Sequence, residues 1–447
     1  MSLRIARTAL IVSLVASAAC VVRLNERNAP LENGGVSGAA ADCGAIQVLP
    51  GGAPGADVKT KFIGRFDMQN PDRPRFDWSG NIMSARFDGP QVTWGVDIVP
   101  PAKETRETIF EVTIDGVSQE VILGGGQPNT KTHDVGPGVH EISVVRSSEA
   151  LFGVSVLVPF TFPGGTQLPP TERARRIEYI GDSITCGYGN EGPNATCPYN
   201  VTVREITEPD GTVAQVKIPK TQNIDLAYGS IAARKLDADA VTICFSGKGM
   251  VKNYREVTQE AANAGVDLKG QAFDPDAKTT IPEYYLRTIA TVREDTPPMP
   301  PAVSNLWDFS KEPEPAVVVI NVGQNDFARD FNQDTIADGL DIDQFREGYK
   351  AFVQFVRGKR PNAHIFLAVT PMLSDKFPLD NARRDFRAAL SRIVSELNGA
   401  GDGKVYWFEL VEMGSRYGLG CDYHPNLEVH RIMADQVAGA IRSKTCW

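Results

Sequence analysis

The hydrophobic pattern of this chain changes once, at a Pro/Gly-rich stretch over residues 162–176. Before it, from about residue 61, short apolar segments alternate with period two, as in antiparallel strands that bury one face. After it, nearly all-apolar runs are separated by longer amphipathic segments, which is typical of parallel strands covered by helices. The sequence therefore predicts an all-β domain over residues 46–165 and an α/β domain over residues 166–447.

The first domain contains several short segments rich in Val, Ile, Phe and Thr, with no convincing helix between them. Asp115-Gly116 separates two of these segments and is a strong signal for a two-residue hairpin turn. Short strands with frequent turns favour a β sandwich or jelly roll.

The second domain contains five predicted strands. They are residues 177–180, 241–245, 316–321, 365–370 and 405–410. Amphipathic helices fit between the later strands, because apolar residues recur there with helical spacing. Five such units predict a doubly wound, flavodoxin-like, three-layer sandwich with a five-stranded parallel sheet. In that architecture, binding sites form at the carboxyl ends of the strands.

The N-terminus has the composition of a targeting segment. Arg4 and Arg7 precede an apolar run of about a dozen residues, which is too short to span a bilayer. Residues 1–20 are therefore interpreted as a signal peptide, and residues 21–45 as a flexible tether. Cys20 stands where bacterial lipoproteins are cleaved and lipidated, so simple secretion and a cell-surface or outer-membrane lipoprotein both stay open.

The composition of this 447-residue chain argues against some classes of binding partner and cofactor. Its net charge of −9 argues against a nucleic-acid partner. The seven cysteines include no CxxC pair and no Cys/His cluster with the spacing of a zinc site, so we expect no metal. We also expect no cofactor. Cys186 and Cys197 flank one strand-end loop, and they could pair with each other or with other cysteines. We expect a monomer.

Four polar motifs follow predicted strands of the second domain. They are Gly-Asp-Ser at 181–183, Ser-Gly-Lys-Gly at 246–249, Gly-Gln-Asn-Asp at 323–326 and Cys-Asp-Tyr-His-Pro at 421–425. Because the carboxyl ends of parallel strands meet at one edge of the sheet, we expect these motifs to lie close together.

These motifs contain the groups that acyl transfer needs. Ser183 is the candidate nucleophile and His424 the candidate base. The backbone N–H groups of Ser183 and Gly247 and the side-chain amide of Asn325 are candidate oxyanion donors. Glycine at 247 would allow close approach of the backbone to substrate, and a neutral amide at 325 donates without adding charge.

The four motifs resemble the conserved blocks of the SGNH (GDSL-type) hydrolases over roughly residues 176–442. The segments "GDSITCGYGNEG", "LAYGSIAARKL", "SGKGM", "INVGQNDF" and "GCDYHPN" resemble carbohydrate esterase family two more closely. This resemblance implies an N-terminal β jelly roll joined to an SGNH domain. It also implies an acetyl esterase of xylan, glucomannan or simpler sugars, with a preference for the 6-hydroxyl position.

The sequence departs from the SGNH pattern beside the histidine. Most SGNH enzymes have an aspartate three residues before it, where this chain has Cys421. Two alternatives stay open: a triad completed by Asp422, or a dyad in which a backbone carbonyl, for example that of Cys421, orients His424. Trp307 is a candidate for stacking on a sugar ring and also for ordinary packing.

Two other functions compete with the acetyl esterase. The same site could hydrolyse longer acyl chains, as in a lipase or thioesterase. The chain could also be a pseudoenzyme that binds glycans, although the intact set of site residues speaks against that interpretation.

Overall fold

The computed structural model describes residues 60–99, 107–124, 129–207, 210–254, 279–292, 305–327, 340–378, 380–414 and 416–447. The predicted signal peptide, Cys20 and the tether lie outside these residues, and the predicted domain boundaries stay predictions. Within the described ranges, no helix combines the length and apolar character needed to cross a bilayer.

The N-terminal domain consists of two antiparallel sheets that pack face to face. One sheet has the order β1-β3-β8-β5-β6, with β10 also paired to β3, and the other has the order β2-β9-β4-β7. Side chains from both sheets fill a shared apolar core; Trp94 of one sheet, for example, meets Phe110 of the other at 5.5 Å between ring centroids. The structure therefore agrees with a β sandwich, while the finer jelly-roll assignment stays a prediction.

Among the described residues, the strands of these two sheets are β1 Thr60–Ile63, β2 Arg75–Phe76, β3 Ile82–Asp88, β4 Gln91–Val99, β5 Glu107–Ile114, β6 Val117–Gly124, β7 Thr130–Asp134, β8 Val139–Arg146, β9 Val154–Thr161 and β10 Thr166–Leu168. The predicted hairpin joins β5 to β6. Its central residues Asp115 and Gly116 both adopt positive φ, 49° and 83°. Positive φ at both central residues is the conformation of a type I′ turn.

The second domain has the predicted five-stranded parallel sheet, in the order β14-β11-β15-β16-β17. Its strands are β11 Arg175–Gly181, β14 Ala238–Cys244, β15 Val317–Asn321, β16 His364–Val369 and β17 Val405–Glu409. The insertion after β11 contains the hairpin β12 Val201–Thr207 and β13 Val213–Ile218. In the order of this parallel sheet, its first strand in the sequence, β11, lies second, as in flavodoxin-like folds.

Helices cover both faces of this sheet. The helices are α1 Ser183–Cys186, α2 Tyr228–Lys235, α3 Ile281–Tyr284, α4 Ile342–Lys359, α5 Ala382–Gly399 and α6 Leu427–Thr445. The apolar stripes of α4 and α5 form a buried core on one face, and those of α2 and α6 form a core on the other. Strand residues alternate between these two cores, so the strands are buried on both sides as expected for a parallel sheet.

Buried polar contacts join the two domains, which belong to one compact unit. The Asp77 carboxylate of the first domain accepts hydrogen bonds from the backbone N–H groups of Ala290 and Thr291, at 2.8 and 2.9 Å. The Trp78 indole donates to the Thr288 carbonyl at 3.0 Å. Because both side chains are fully buried, the first domain is packed against the second rather than being a freely tethered module.

Candidate active site

The turn after β11 presents Ser183 at the start of helix α1. The side chain of Asp182 caps this helix by accepting a hydrogen bond from the Ile184 N–H at 3.1 Å. Gly181 is required by close packing, since a Cβ there would lie 1.8 Å from Thr185 Oγ1. The sequence thus folds into a tight strand-to-helix turn, and Ser183 is only 4% exposed at its end.

His424 lies beside this serine. Its Nε2 is 2.9 Å from Ser183 Oγ, and its Nδ1 is 2.9 Å from the backbone carbonyl oxygen of Asp422. When Nδ1 donates its proton to that carbonyl, Nε2 is left as the acceptor for the serine hydroxyl. Burial lowers the pKa of His424 to about 4, which keeps the imidazole neutral and able to accept a proton at neutral pH.

The group beside His424 Nδ1 is a backbone carbonyl, as in the dyad alternative, but it belongs to Asp422 and not to Cys421. The Asp422 carboxylate accepts a hydrogen bond from the Tyr188 hydroxyl at 2.7 Å, while its backbone carbonyl faces the imidazole. The orienting carbonyl is therefore that of Asp422 and not that of Cys421. The physical reason is the backbone: Asp422 and Tyr423 both adopt left-handed φ, 51° and 59°, which turns this carbonyl toward His424.

Two disulfides hold the loops around the site. Cys197 pairs with Cys421, and Cys186 pairs with Cys244. A bond between Cys186 and Cys197, which the sequence left open, is therefore absent. Since Cys421 occupies the slot of the usual aspartate, its disulfide replaces a catalytic side chain by a covalent anchor of the histidine loop.

The candidate oxyanion donors lie on three different loops. Within the described part of the chain, the N–H groups of Ser183 and Gly247 have no acceptor. Gly247 adopts φ 77°, and a Cβ there would meet no atom within 4 Å. The glycine is therefore needed for its backbone conformation, and its role in letting substrate approach the backbone stays a prediction.

The Asn325 amide is held at the edge of this site. Its Nδ2 donates to the Lys248 carbonyl at 2.9 Å and makes a longer, weaker contact of 3.4 Å to the Asp182 carboxyl. Burial raises the pKa of Asp182 to about 8, so that contact faces a group whose charge is disfavoured. Next to Asn325, the Asp326 carboxylate accepts from the N–H groups of residues 250–252 and thereby anchors the loop that follows Gly247.

Trp307 lies elsewhere. Its indole donates to Glu312 at 3.0 Å, and its ring faces the guanidinium of Arg65 at 5.4 Å. Glu312 is paired with Arg360, which ends helix α4 just before β16. These groups lie near the amino ends of the strands, whereas Ser183 follows a carboxyl end, so the structure does not bring Trp307 together with the other candidate site residues.

Two tyrosines that we did not single out in the sequence contact the site. Tyr188 packs against the His424 ring, with 4.3 Å between centroids and the rings tilted by 33°, and Tyr199 stacks on Tyr188 at 3.6 Å. Tyr188 lies within the motif around the nucleophile, so its proximity to Ser183 could have been suspected. Tyr199 belongs to the insertion after β11, and its sequence context contains no comparable signal.

The chain matches two family models in succession. Residues 62–171 match the carbohydrate esterase 2 N-terminal domain, and residues 177–437 match the GDSL-like lipase/acylhydrolase family. Among characterised relatives, the cellulase/esterase CelE of Acetivibrio thermocellus is 31% identical over 389 residues, covering 86% of this chain and 39% of CelE. An acetylxylan esterase/glucomannan deacetylase of Cellvibrio japonicus is 24% identical over 373 residues, covering 83% of this chain and 85% of the relative.

Solved structures share the two-domain architecture. A family two carbohydrate esterase from Clostridium thermocellum, in complex with cellohexaose, superposes with a TM-score of 0.64 and 29% identity, covering 86% of this chain and 98% of that one. A family 2 enzyme with a carbohydrate-binding domain from Corynascus thermopiles (Myceliophthora fergusii) gives 0.65 and 27%, covering 87% and 100%. This chain is thus a carboxylic ester hydrolase that belongs to the GDSL-like lipase/acylhydrolase family and has the two-domain architecture of family 2 carbohydrate esterases.

Proposed function

We propose that this enzyme removes O-acetyl groups from plant polysaccharides or sugars, such as acetylated xylan and glucomannan, with a preference for 6-O-acetyl groups. The observation that most strongly supports it is the 2.9 Å contact between Ser183 Oγ and His424 Nε2 at the carboxyl edge of the sheet. The names of the relatives favour acetyl esters of polysaccharides among the acyl substrates that this chemistry could accept.

The reaction begins at Ser183. Its Oγ attacks the acetyl carbonyl carbon while His424 Nε2 accepts the hydroxyl proton. The oxyanion that forms accepts hydrogen bonds from the N–H groups of Ser183 and Gly247 and from the Asn325 amide, which exchanges its weak contact to Asp182 for the stronger negative charge. The imidazolium then protonates the leaving sugar oxygen, and the acetyl group stays on Ser183.

Water completes the cycle. His424 removes a proton from a water molecule that attacks the acetyl-serine, and acetate leaves as the proton returns to Ser183. Throughout, the Asp422 carbonyl accepts the hydrogen bond of Nδ1–H, so a single tautomer is maintained without a carboxylate. The site therefore works as a Ser-His dyad in this proposal.

Deacetylation of acetylated xylan and acetylated glucomannan tests this proposal, with NMR assignment of each ester that disappears. We expect release of acetate, with 6-O-acetyl signals lost first. Faster hydrolysis of p-nitrophenyl octanoate than of the acetate would instead favour a lipase or thioesterase. Absence of hydrolysis on every ester, in a folded protein that binds glycans, would favour the pseudoenzyme.

We also infer that the enzyme is exported as a monomer, with or without a lipid on Cys20. Fractionation of cells that express the wild-type chain or Cys20→Ala separates these two forms of export. If Cys20 is lipidated, only the wild-type chain partitions into detergent. Equal partitioning of both chains would rule against a lipid on Cys20.

A further inference from the structure

The segment between β8 and β9 of the N-terminal domain reaches the esterase site. Arg146, the last residue of β8, is fully buried and donates hydrogen bonds to the carbonyls of Ser148, Glu149 and Gly153, at 3.1, 3.1 and 2.7 Å. These contacts fix the backbone of the segment on both sides of Glu149. The position of the Glu149 side chain is therefore set by the N-terminal domain.

Glu149 contacts the loop of a candidate oxyanion donor. One carboxylate oxygen accepts a hydrogen bond from the Ser246 N–H at 2.8 Å, and the other accepts from the Ser246 hydroxyl. Ser246 directly precedes Gly247, whose free N–H points to a role in the oxyanion hole. The carboxylate thus fixes this loop at the residue before the donor.

The same carboxylate is linked to the histidine. The Tyr199 hydroxyl lies 3.4 Å from a Glu149 carboxylate oxygen, although its shorter hydrogen bond goes to Gln222. The Tyr199 ring stacks on Tyr188, which packs against the His424 ring. Tyr188 also donates to Asp422, whose carbonyl orients the imidazole. Contiguous contacts therefore connect Glu149 both to the loop of the Gly247 donor and to His424.

The environment of Glu149 is costly for a carboxylate. The side chain is only 1% exposed, and its partners among the described residues are neutral N–H and O–H groups rather than lysine or arginine. Burial accordingly raises its pKa. Because a buried carboxylate without a counter-ion loses hydration free energy, stability alone does not account for this residue.

We propose that Glu149 is a positioning residue through which the N-terminal domain sets the oxyanion hole, by holding Ser246 and hence the Gly247 N–H in the geometry that the transition state requires. This inference rests on the proposed function of the same site. It gives the N-terminal domain a part in catalysis that is separate from any glycan binding, since a displaced donor weakens transition-state stabilisation more than substrate binding.

Three variants of the full chain test this proposal through kcat and KM for p-nitrophenyl acetate. Glu149→Ala removes the acceptor of the Ser246 N–H, and we expect kcat to fall about tenfold or more with KM within about twofold. Glu149→Gln keeps one acceptor oxygen and should retain kcat within about threefold. Asp77→Ala is the matched control, because it removes an equally buried interdomain carboxylate whose partners lie on another loop; it should lower stability while kcat of the folded protein stays within about twofold.

A folded Glu149→Ala enzyme with wild-type kcat would overturn the proposal, as would an equal loss of kcat in Asp77→Ala. If Glu149→Ala does not fold, Glu149→Asp decides, because it withdraws the carboxylate from Ser246 while keeping its charge. Full kcat in that variant would also overturn the proposal.

The rate at which a fluorophosphonate probe labels Ser183 separates this inference from the choice of substrate. A wild-type protein that reacts with the probe but deacetylates no polysaccharide would contradict the proposed substrate only, and slower labelling of Glu149→Ala would still support the role of Glu149. A wild-type protein that neither reacts with the probe nor hydrolyses p-nitrophenyl acetate would overturn both proposals.

Discussion

The imidazole of His424 takes its orientation from a backbone atom, which makes the site depend on two residues in an unusual conformation. Left-handed φ at Asp422 and Tyr423 costs each residue roughly 1–2 kcal/mol relative to right-handed backbone. The sequence showed that the usual aspartate was missing, but spacing alone could not reveal which carbonyl replaces it. That outcome depends on dihedral angles that the surrounding loop imposes.

Asp422→Asn tests this account of the histidine. The substitution keeps the backbone carbonyl and an acceptor for the Tyr188 hydroxyl, so we expect kcat to fall by less than about tenfold. In a triad in which a carboxylate orients the histidine, the same change costs about 10⁴ in kcat. A loss near that size would show that the Asp422 side chain acts on His424 during the reaction.

The pH dependence of activity reports the protonation state of His424. Only the neutral imidazole accepts the serine proton, and burial lowers the pKa of this group to about 4. Activity should therefore be present above that value and be lost as the pH falls through about 4. We expect kcat/KM for acetate release to show an acid limb there, and a midpoint between 6 and 7 would contradict the lowered pKa.

At the scale of elements, the strands and their order were predictable, but the links between loops were not. The five parallel strands are nearly continuous apolar runs, so their positions follow from local pattern. The pairing of Cys197 with Cys421 joins residues 224 positions apart, and no local pattern contains that information. No local pattern showed either that the Trp307 indole would donate to Glu312 near the amino ends of the strands.

The histidine loop is held by packing as well as by its disulfide. The Cys421 N–H donates to the Gly189 carbonyl at 3.0 Å, and a Cβ on Gly192 would lie 2.3 Å from the Cys421 nitrogen. These contacts would keep the loop close to its position without the covalent bond. The disulfide is therefore expected to contribute more to stability than to the reaction itself.

Replacement of both Cys197 and Cys421 by serine tests whether this disulfide contributes more to stability than to catalysis. We expect the free energy of unfolding to fall by about 2–4 kcal/mol, the usual effect of losing a disulfide, and kcat at 25 °C to fall less than about tenfold. Urea unfolding and steady-state kinetics measure the two effects, with the Cys186→Ser/Cys244→Ser pair as a comparison. Unchanged stability with a complete loss of activity would contradict the expectation.

At the scale of the whole molecule, the N-terminal domain is built into the esterase by buried side chains. Arg65 is fully buried and donates to the carbonyls of Tyr285 and Arg287, at 2.6 and 2.9 Å. The sequence predicted two domains, but it gave no sign of this interface or of Glu149. Contacts across a domain interface depend on how the two folded domains pack against each other. The hydrophobic periodicity within each domain contains no information about that packing.

Arg65→Ala should destabilise the molecule without altering the chemistry. Its removal leaves buried carbonyls without a donor, and we expect a loss of about 2–4 kcal/mol in the free energy of unfolding. Since the contacts of Arg65 lie away from Ser183, kcat should stay within about twofold. Calorimetry should show one transition at a lower temperature, and two separate transitions in the wild-type protein would show that the domains unfold independently.

Acetate release by the wild-type enzyme and by Ser183→Ala tests most directly whether Ser183 is the nucleophile of an acetyl esterase. Both proteins would be measured on the same acetylated glucomannan, with circular dichroism to verify that the variant is folded. We predict that kcat of the variant falls by at least about 10⁴, as when the serine of a comparable hydrolase is removed. A folded Ser183→Ala protein that retains a tenth or more of the wild-type rate would contradict the account.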